Sequence, residues 1–448
     1  MAAADDPTAR VGCHDPSRTL RIRWFIVIVP ALIYFLAYFH RVAPAVVAGD
    51  LMRAFSLSAA SLGNLSAIYP YVFALMALPA GSFADTLGPR WTLTLGAATM
   101  GIGAIFFGLA PTWSLAWVGR LLVGLGASVI LIASLRLAAE WFRPEEFATI
   151  SGWSQTVGNL GALVAAAPLA LLVDILGWRQ SFVVIGTLTL LLAVAATLFV
   201  RDRPEAMGLH PVNPERAQGT MPSLALTLRA IGGIVFNPRT WPPVLAATGV
   251  YASLITFLGL WGVPYLTQVY RLPRVDAAGY VSLLAIGIVV GAPLVGWLSD
   301  HWLGLRRLPF ATCTAIYAAC WALVALPGEM RLPLGGLAPL FFLMGFASSG
   351  LVLVFVCVRE VNDPARVGIT IGFCNMPVFL GFALLQWVTG LILDAWWEGL
   401  AQSGARIYPA SAWEATFTLC LAVAVGALIL TFFIAETRCR NVWREPLR

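Results

Sequence analysis

The sequence predicts an all-α membrane protein, twelve transmembrane helices in two pseudo-symmetric six-helix bundles. Three observations predict it. Of 448 residues, 59% are hydrophobic and only 11% charged, with a mean hydropathy of +0.83; a soluble domain of this length carries roughly 25% charged residues. Apolar stretches of about 20 residues, the length a helix needs to cross a bilayer, recur along the whole chain. Two loop sequences also repeat, one in each half.

The apolar stretches run over about 24–48, 60–84, 91–110, 113–137, 147–174, 180–200, 241–268, 277–299, 308–327, 334–358, 367–394 and 411–434. The longest hydrophilic interruption, about 201–239, carries Pro204, Pro211, Pro214, Pro222 and Pro238 and reads as a linker with one short surface helix. The expected organisation is a tail (1–23), a first bundle (24–200), a linker (201–240), a second bundle (241–434) and a tail (435–448). No signal peptide is expected: the stretch from Trp24 is too long for a signal h-region and no small-residue cleavage site follows it.

The formal charge is +6, and all 28 basic residues are Arg, a usage typical of a GC-rich genome. They do not cluster on one soluble face, so nucleic-acid binding has no support. Cys13, Cys313, Cys320, Cys357, Cys374, Cys420 and Cys439 form no C-x-x-C pair and read as packing residues rather than disulfides or zinc ligands. No cofactor is expected. With the N-terminus inside, inside segments hold 20 arginines and outside loops six, Arg53, Arg179, Arg271, Arg274, Arg331 and Arg406. The positive-inside rule then puts both termini in the cytoplasm.

The remaining two arginines, Arg41 and Arg120, lie inside apolar stretches. A guanidinium stays charged and is costly at membrane depth, so an arginine there faces a water-filled cavity.

Between helices two and three lies Gly81-Ser-Phe-Ala-Asp85-Thr-Leu-Gly88-Pro-Arg90; between helices eight and nine lies Gly296-Trp-Leu-Ser-Asp300-His-Trp-Leu-Gly304-Leu-Arg306-Arg307, with one extra residue before its second glycine. Helix five carries Gly152, Gly161 and Asp174, and helix eleven Gly372, Gly381 and Asp394 at the same spacings. Two parallel six-helix repeats are a recurring transporter plan. At these residues the chain resembles the major facilitator superfamily over about 24–436. The family's loop signature, Gly-x-x-x-Asp-x-x-Gly-x-[Arg/Lys], is matched by Gly81, Asp85, Gly88 and Arg90, and more loosely by Gly296, Asp300, Gly304 and Arg306. Such a carboxylate can bond an arginine and a neighbouring helix N-terminus, a gate on the cytoplasmic side; turn chemistry alone is the plainer explanation.

Helix four, Arg120-Leu-Leu-Val-Gly124-Leu-Gly126-Ala127, is similar to the family's motif there, in which the arginine is structural or linked to coupling or substrate. Helix five, with Gly158, Gly161 and Pro168, is a thin copy of the antiporter motif. Helix one, Tyr34-Phe-Leu-Ala-Tyr38-Phe-His40-Arg41-Val-Ala-Pro44, resembles the organic-anion and organophosphate branches, where the arginine contacts the substrate's negative group. By helical rise, Arg41 and Arg120 each lie roughly 6–7 Å outward of their helix midpoints, at one depth. The alternative is that Arg41 snorkels to the outer headgroups. Organophosphate permeases pair this arginine with another in helix seven; here Tyr251-Ala-Ser-Leu-Ile255-Thr256 carries no charge, which fits a monocarboxylate, amino acid or other small anion better than a phosphate.

A proton symporter needs a titratable group in its cavity, and no Asp or Glu sits mid-helix. His40 is the histidine placed for proton coupling; a hydrogen-bonded or interfacial histidine is the alternative. The candidate substrate-binding residues are Arg41, Arg120, Tyr34, Tyr38, Gln155, Asn159 and Asn375; Asn64, Tyr69 and Gln386 are further polar candidates, some of which only tie helices together. The expectation is a secondary transporter of a small anionic or zwitterionic solute in the lipid bilayer of a bacterial inner membrane, monomeric by default. A drug or metabolite exporter and a transporter-like membrane sensor are the alternatives. An enzyme is not expected, because His14, His40, His210 and His301 are scattered.

Overall fold

Every long element is a helix because the chain's apolar runs can satisfy their backbone groups within a bilayer only by helical hydrogen bonding. The computed structural model describes residues 16–77, 79–209, 231–326, 330–363, 367–402 and 404–443. Among these residues eleven helices are long and apolar enough to span a membrane, and a twelfth span forms from Ile150–Val164 and Ala167–Leu176, joined at a 42° bend. The bend sits where Pro168 withholds an amide from the preceding turn. Cys13 and part of the linker, with the expected surface helix, lie outside the described residues.

In the first half, helix one is Pro16–Val42, continued by Pro44–Phe55; helices two to six are Ala59–Met76, Gly88–Leu109, Trp113–Trp141, the bent pair and Trp178–Phe199. Pro79–Thr86 is a short helix between helices two and three. In the second half, helix seven is Trp241–Thr256 with a π turn Phe257–Trp261 and a final segment Gly262–Val269. Helix eight is Arg274–Trp297 with a π turn Leu298–Leu303, and helix nine is Arg307–Val324. Helix ten is Leu334–Ser348 and Leu353–Val361 around a 3₁₀ turn, helix eleven Val367–Ala395 and helix twelve Ala410–Thr431. A small antiparallel hairpin, Ala401 opposite Arg406, links the last two.

Packing repeats between the halves. Helix one packs on five as seven packs on eleven; two on four as eight on ten; three on six as nine on twelve. Between halves, helix two runs along eleven and helix eight along five. Small residues permit the close pairs: a Cβ on Gly126 of helix four would lie 2.3 Å from the Gly96 carbonyl of helix three. Leu75, Ile175 and Leu191 are among the many large apolar side chains left on the surface, the composition a lipid-facing belt requires.

The extra residue in the second loop motif has a structural answer. It falls between Asp300 and Gly304, inside the π turn Leu298–Leu303. A π turn accommodates one residue more than an α turn, so Gly304 still reaches a left-handed conformation (φ 60°), as Gly88 does (φ 80°).

Candidate functional site

Arg41 is built into an aromatic box contributed by both halves. Its guanidinium lies 4.2 Å from the Tyr38 ring, 5.3 Å from Phe73, 5.4 Å from Phe379 and 5.7 Å from Tyr69. Nη1 donates to the Tyr251 hydroxyl at 3.0 Å. Helices one, two, seven and eleven therefore converge here, and Phe73 stacks on Phe379 across the two halves at 4.8 Å. Arg41 is 7% exposed, so it does not snorkel to the headgroups; the side chain turns inward. Cation–π contacts and one phenol soften its burial, but among the described residues no carboxylate pairs with it.

Arg120 is buried on the other side of Tyr69, 5.5 Å from that ring. Its Nη1 donates to the His40 carbonyl at 2.8 Å. Two buried guanidiniums thus share one tyrosine with no acidic partner among the described residues. His40 is fully buried, and neither ring nitrogen has a hydrogen-bond partner among the described residues.

Tyr34 donates to Gln155 Oε1 at 2.6 Å and meets Tyr38 edge-on at 5.0 Å. Gly158 of helix five leaves room for both rings, since a Cβ there would lie 2.9–3.0 Å from them. Asn159 donates to the Gln155 carbonyl and is tied to its own helix. Asn64 accepts from Trp117, Tyr69 donates to the Ala37 carbonyl, and Asn375 is half-buried on helix eleven. The structure groups Arg41, Tyr38, Tyr34 and Gln155 on one path along helices one and five, with Arg120 behind Tyr69.

Sequence reasoning missed the carboxylates that organise the loop motifs. Gly81 and Asp85 lie on the short helix Pro79–Thr86, and the Asp85 side chain lies outside the described residues. Arg90 N–H donates to Asp202 at 2.7 Å, and Arg90 Nη2 to the Thr197 carbonyl at 2.6 Å. Gly88 is required twice: its φ is positive, and a Cβ would press on the Asp202 carboxylate at 3.1 Å. In the second half Gly296 lies on helix eight, and Arg306 donates to Asp300 at 2.5 Å, Ser299 at 2.9 Å and Glu360 at 2.9 Å. The Arg306 and Arg307 amides donate to Glu436, and Thr437 bonds Glu360. Asp202 and Glu436 each follow the last helix of their half and cap the helix after its loop motif. All these bonds stay within one half, so here they brace each bundle rather than latch the two together.

Burial would raise the Glu436 carboxyl, but the amides of Arg306, Arg438 and Arg307 outweigh it and hold its pKa below the ordinary value. A depressed carboxylate contributes stability above its unfolded pKa and loses it as pH falls through the folded one. Glu436→Ala is expected to cost about 1 kcal/mol, the loss of charge-assisted bonds to amides discounted for an exposed carboxylate that water screens. It should also flatten the fall in thermal midpoint below about pH 4. A variant with the wild-type midpoint and acid profile removes the capping role.

The two halves meet at the face opposite the chain termini. Asp394 of helix eleven accepts from the Ala59 and Ala60 amides of helix two at 2.9 and 2.8 Å, and from Tyr408 and Arg406 at 3.0 Å each. Its repeat partner Asp174, on helix five, pairs at 3.4 Å with Arg274, the first residue of helix eight. Arg274 also reaches Asp50 at 2.9 Å. The two aspartates at matched positions thus each sit on the first turn of a helix in the opposite half.

A two-repeat helical bundle with a charged box between its halves defines a multi-pass membrane protein of the transporter type. The sequence matches the Major Facilitator Superfamily profile over residues 31–354 and 281–446, and the chain belongs to that superfamily: it is a membrane transporter, a permease rather than an enzyme. It is 26% identical to the membrane sensor protein UhpC of Salmonella typhimurium over 394 residues, 84% of this chain and 87% of that one. It is 23% identical to the hexuronate transporter of Escherichia coli K12 over 388 residues, 83% and 88% of the two chains. Such relatives bear out the likeness to the organic-anion and organophosphate branches. The fold matches the crystal structure of a bacterial homolog of the human lysosomal transporter Spinster, inward-facing and unoccupied, with a TM-score of 0.74, 20% identity and coverage of 93% of this chain and 97% of that one.

Proposed function

We propose that this transporter moves a small organic solute bearing one carboxylate by alternating access across a bacterial inner membrane, with both termini in the cytoplasm. The observation that carries the reading is Arg41, a buried guanidinium without an acidic partner among the described residues, in a box that both halves complete. An anion would supply the missing counter-charge, and leaving it would reopen the deficit, which favours turnover over tight binding. Helix seven contributes a phenol, Tyr251, rather than a second cation. One guanidinium fork suits a planar carboxylate. The hexuronate transporter among the relatives is a carrier of such an anion.

Alternating access would close the outer side through Asp394, Asp174 and Asp50 in the conformation described, leaving the opposite side to open. His40, buried beside Arg41 in sequence and with no hydrogen-bond partner on its ring among the described residues, is the group to which we assign proton coupling. The relationship to UhpC favours one second reading, a sensor that binds without moving its ligand.

The test is thermal stabilisation of the purified protein by glucuronate, lactate, glutamate, glucose 6-phosphate and the apolar cation tetraphenylphosphonium, followed by counterflow in proteoliposomes with any compound that binds. Stabilisation by a carboxylate together with counterflow is expected. Binding without counterflow makes the protein a sensor. Stabilisation by glucose 6-phosphate alone, or by apolar cations alone, overturns the carboxylate reading.

A further inference from the structure

We infer that Arg120 is a positioning residue: it supplies helix one with the hydrogen bond that Pro44 takes away, and so fixes the turn that carries Arg41. The inference rests on the reading of Arg41 as the anion ligand, but its first measurement needs no ligand.

Pro44 follows His40 by four residues within a chain that stays helical on both sides of Ala43. A proline there acts twice on the His40 carbonyl: it offers no N–H to it, and its ring crowds it outward. Inside a bilayer such a carbonyl cannot turn to water, so it must find a donor within the protein. The donor is Arg120 Nη1, reaching across from helix four at 2.8 Å. Arg120 is 1% exposed and lies against Tyr69. Tyr69 itself donates to the Ala37 carbonyl, one turn earlier on helix one, at 3.1 Å. The turn from Ala37 to Arg41 is therefore pinned at two carbonyls by side chains from helices two and four.

Arg41 is the residue next after His40. Releasing the His40 carbonyl frees the peptide plane from which Arg41 projects, and its approach to Tyr38 and Tyr251 depends on that plane. One Arg120 nitrogen is spent on backbone, which argues against Arg120 as the anion's second grip. A guanidinium that never gives up its proton is no relay either.

The experiment is a double-mutant cycle on the full-length purified protein with Arg120→Met, Pro44→Ala and the two combined. It is read by thermal midpoint and by the affinity for glucuronate, which Arg41→Ala is expected to weaken on the order of a hundredfold. Arg120→Met is expected to lower the midpoint by several degrees and weaken glucuronate about tenfold, the equivalent of one charge-assisted hydrogen bond. Pro44→Ala alone should match or exceed wild type. In the combined variant the backbone amide restored by Pro44→Ala takes the His40 carbonyl, and at least half of both losses should return. Additive losses overturn the inference, since unlinked sites add. If Arg120→Met yields no folded protein, monodisperse protein from the combined variant supports the inference, and none from either overturns it. Glucuronate that does not stabilise wild type counts against the carboxylate reading, while the midpoint cycle still decides the role of Arg120.

Discussion

Arg41→Ala is expected to lose anion binding and transport on the order of a hundredfold, about 3 kcal/mol, the usual cost of removing one partner of a buried charge pair. Arg41→Lys should fail to restore it. The fork that bonds Tyr251 at 3.0 Å also lies over Tyr38 at 4.2 Å. An ammonium is a point charge that cannot do both and still present two donors to a carboxylate. The empty alanine variant should melt at or above the wild-type temperature, because deleting a buried cation with no acidic partner among the described residues removes a desolvation cost. Loss of function with gain of stability separates a binding group from a packing group. Full activity in Arg41→Lys would sink the bidentate grip and leave only charge.

The second large effect is expected from Gly63→Trp and Gly390→Trp. A Cβ on Gly63 of helix two would lie 2.5 Å from the Gln386 carbonyl of helix eleven, and one on Gly390 would lie 2.5 Å from the Ala59 carbonyl. Both obstacles are backbone and cannot rotate away. Any large side chain there should wedge the face opposite the termini open. Transport should fall to background while the affinity of the Arg41 box survives, and spin labels at Ser56 and Glu398 should move apart. Unchanged label distances with normal transport would show that this contact is not part of the cycle. Asp394 and its bonds to the Ala59 and Ala60 amides lie beside the same contact, so the wedge also breaks that cap.

Much of this was legible from the sequence because a bilayer leaves the backbone few options. The spans follow from apolar length, the loop motifs from spacing, and Arg41 from the cost of its charge at depth. The repeat of Asp174 and Asp394 was also visible; their role was not, since each partner lies in the other half and no spacing reports a contact between distant segments. Nothing in the spacing of Asp202, Glu360 and Glu436 marks them out in the sequence. The available signal was position, as Asp202 and Glu436 each follow the last helix of their repeat. The His40 to Pro44 spacing was readable too, as an orphaned carbonyl, but its donor Arg120 is 80 residues away. The π turn in helix seven had no signal in apolar periodicity, because Phe257–Trp261 is buried all round.

The lone charge of the aromatic box has an electrical consequence. With a monoanion aboard, the guanidinium and its cargo cancel, and the loaded protein reorients without carrying that charge. Empty, Arg41 is uncancelled and feels whatever share of the membrane voltage shifts across it as the halves rock, up to about 2.3 kcal/mol for a full charge at 100 mV. Arg120 carries its charge on both strokes, so, before any proton on His40 is counted, the return stroke bears one more charge than the delivery stroke and responds the more strongly to an energised membrane.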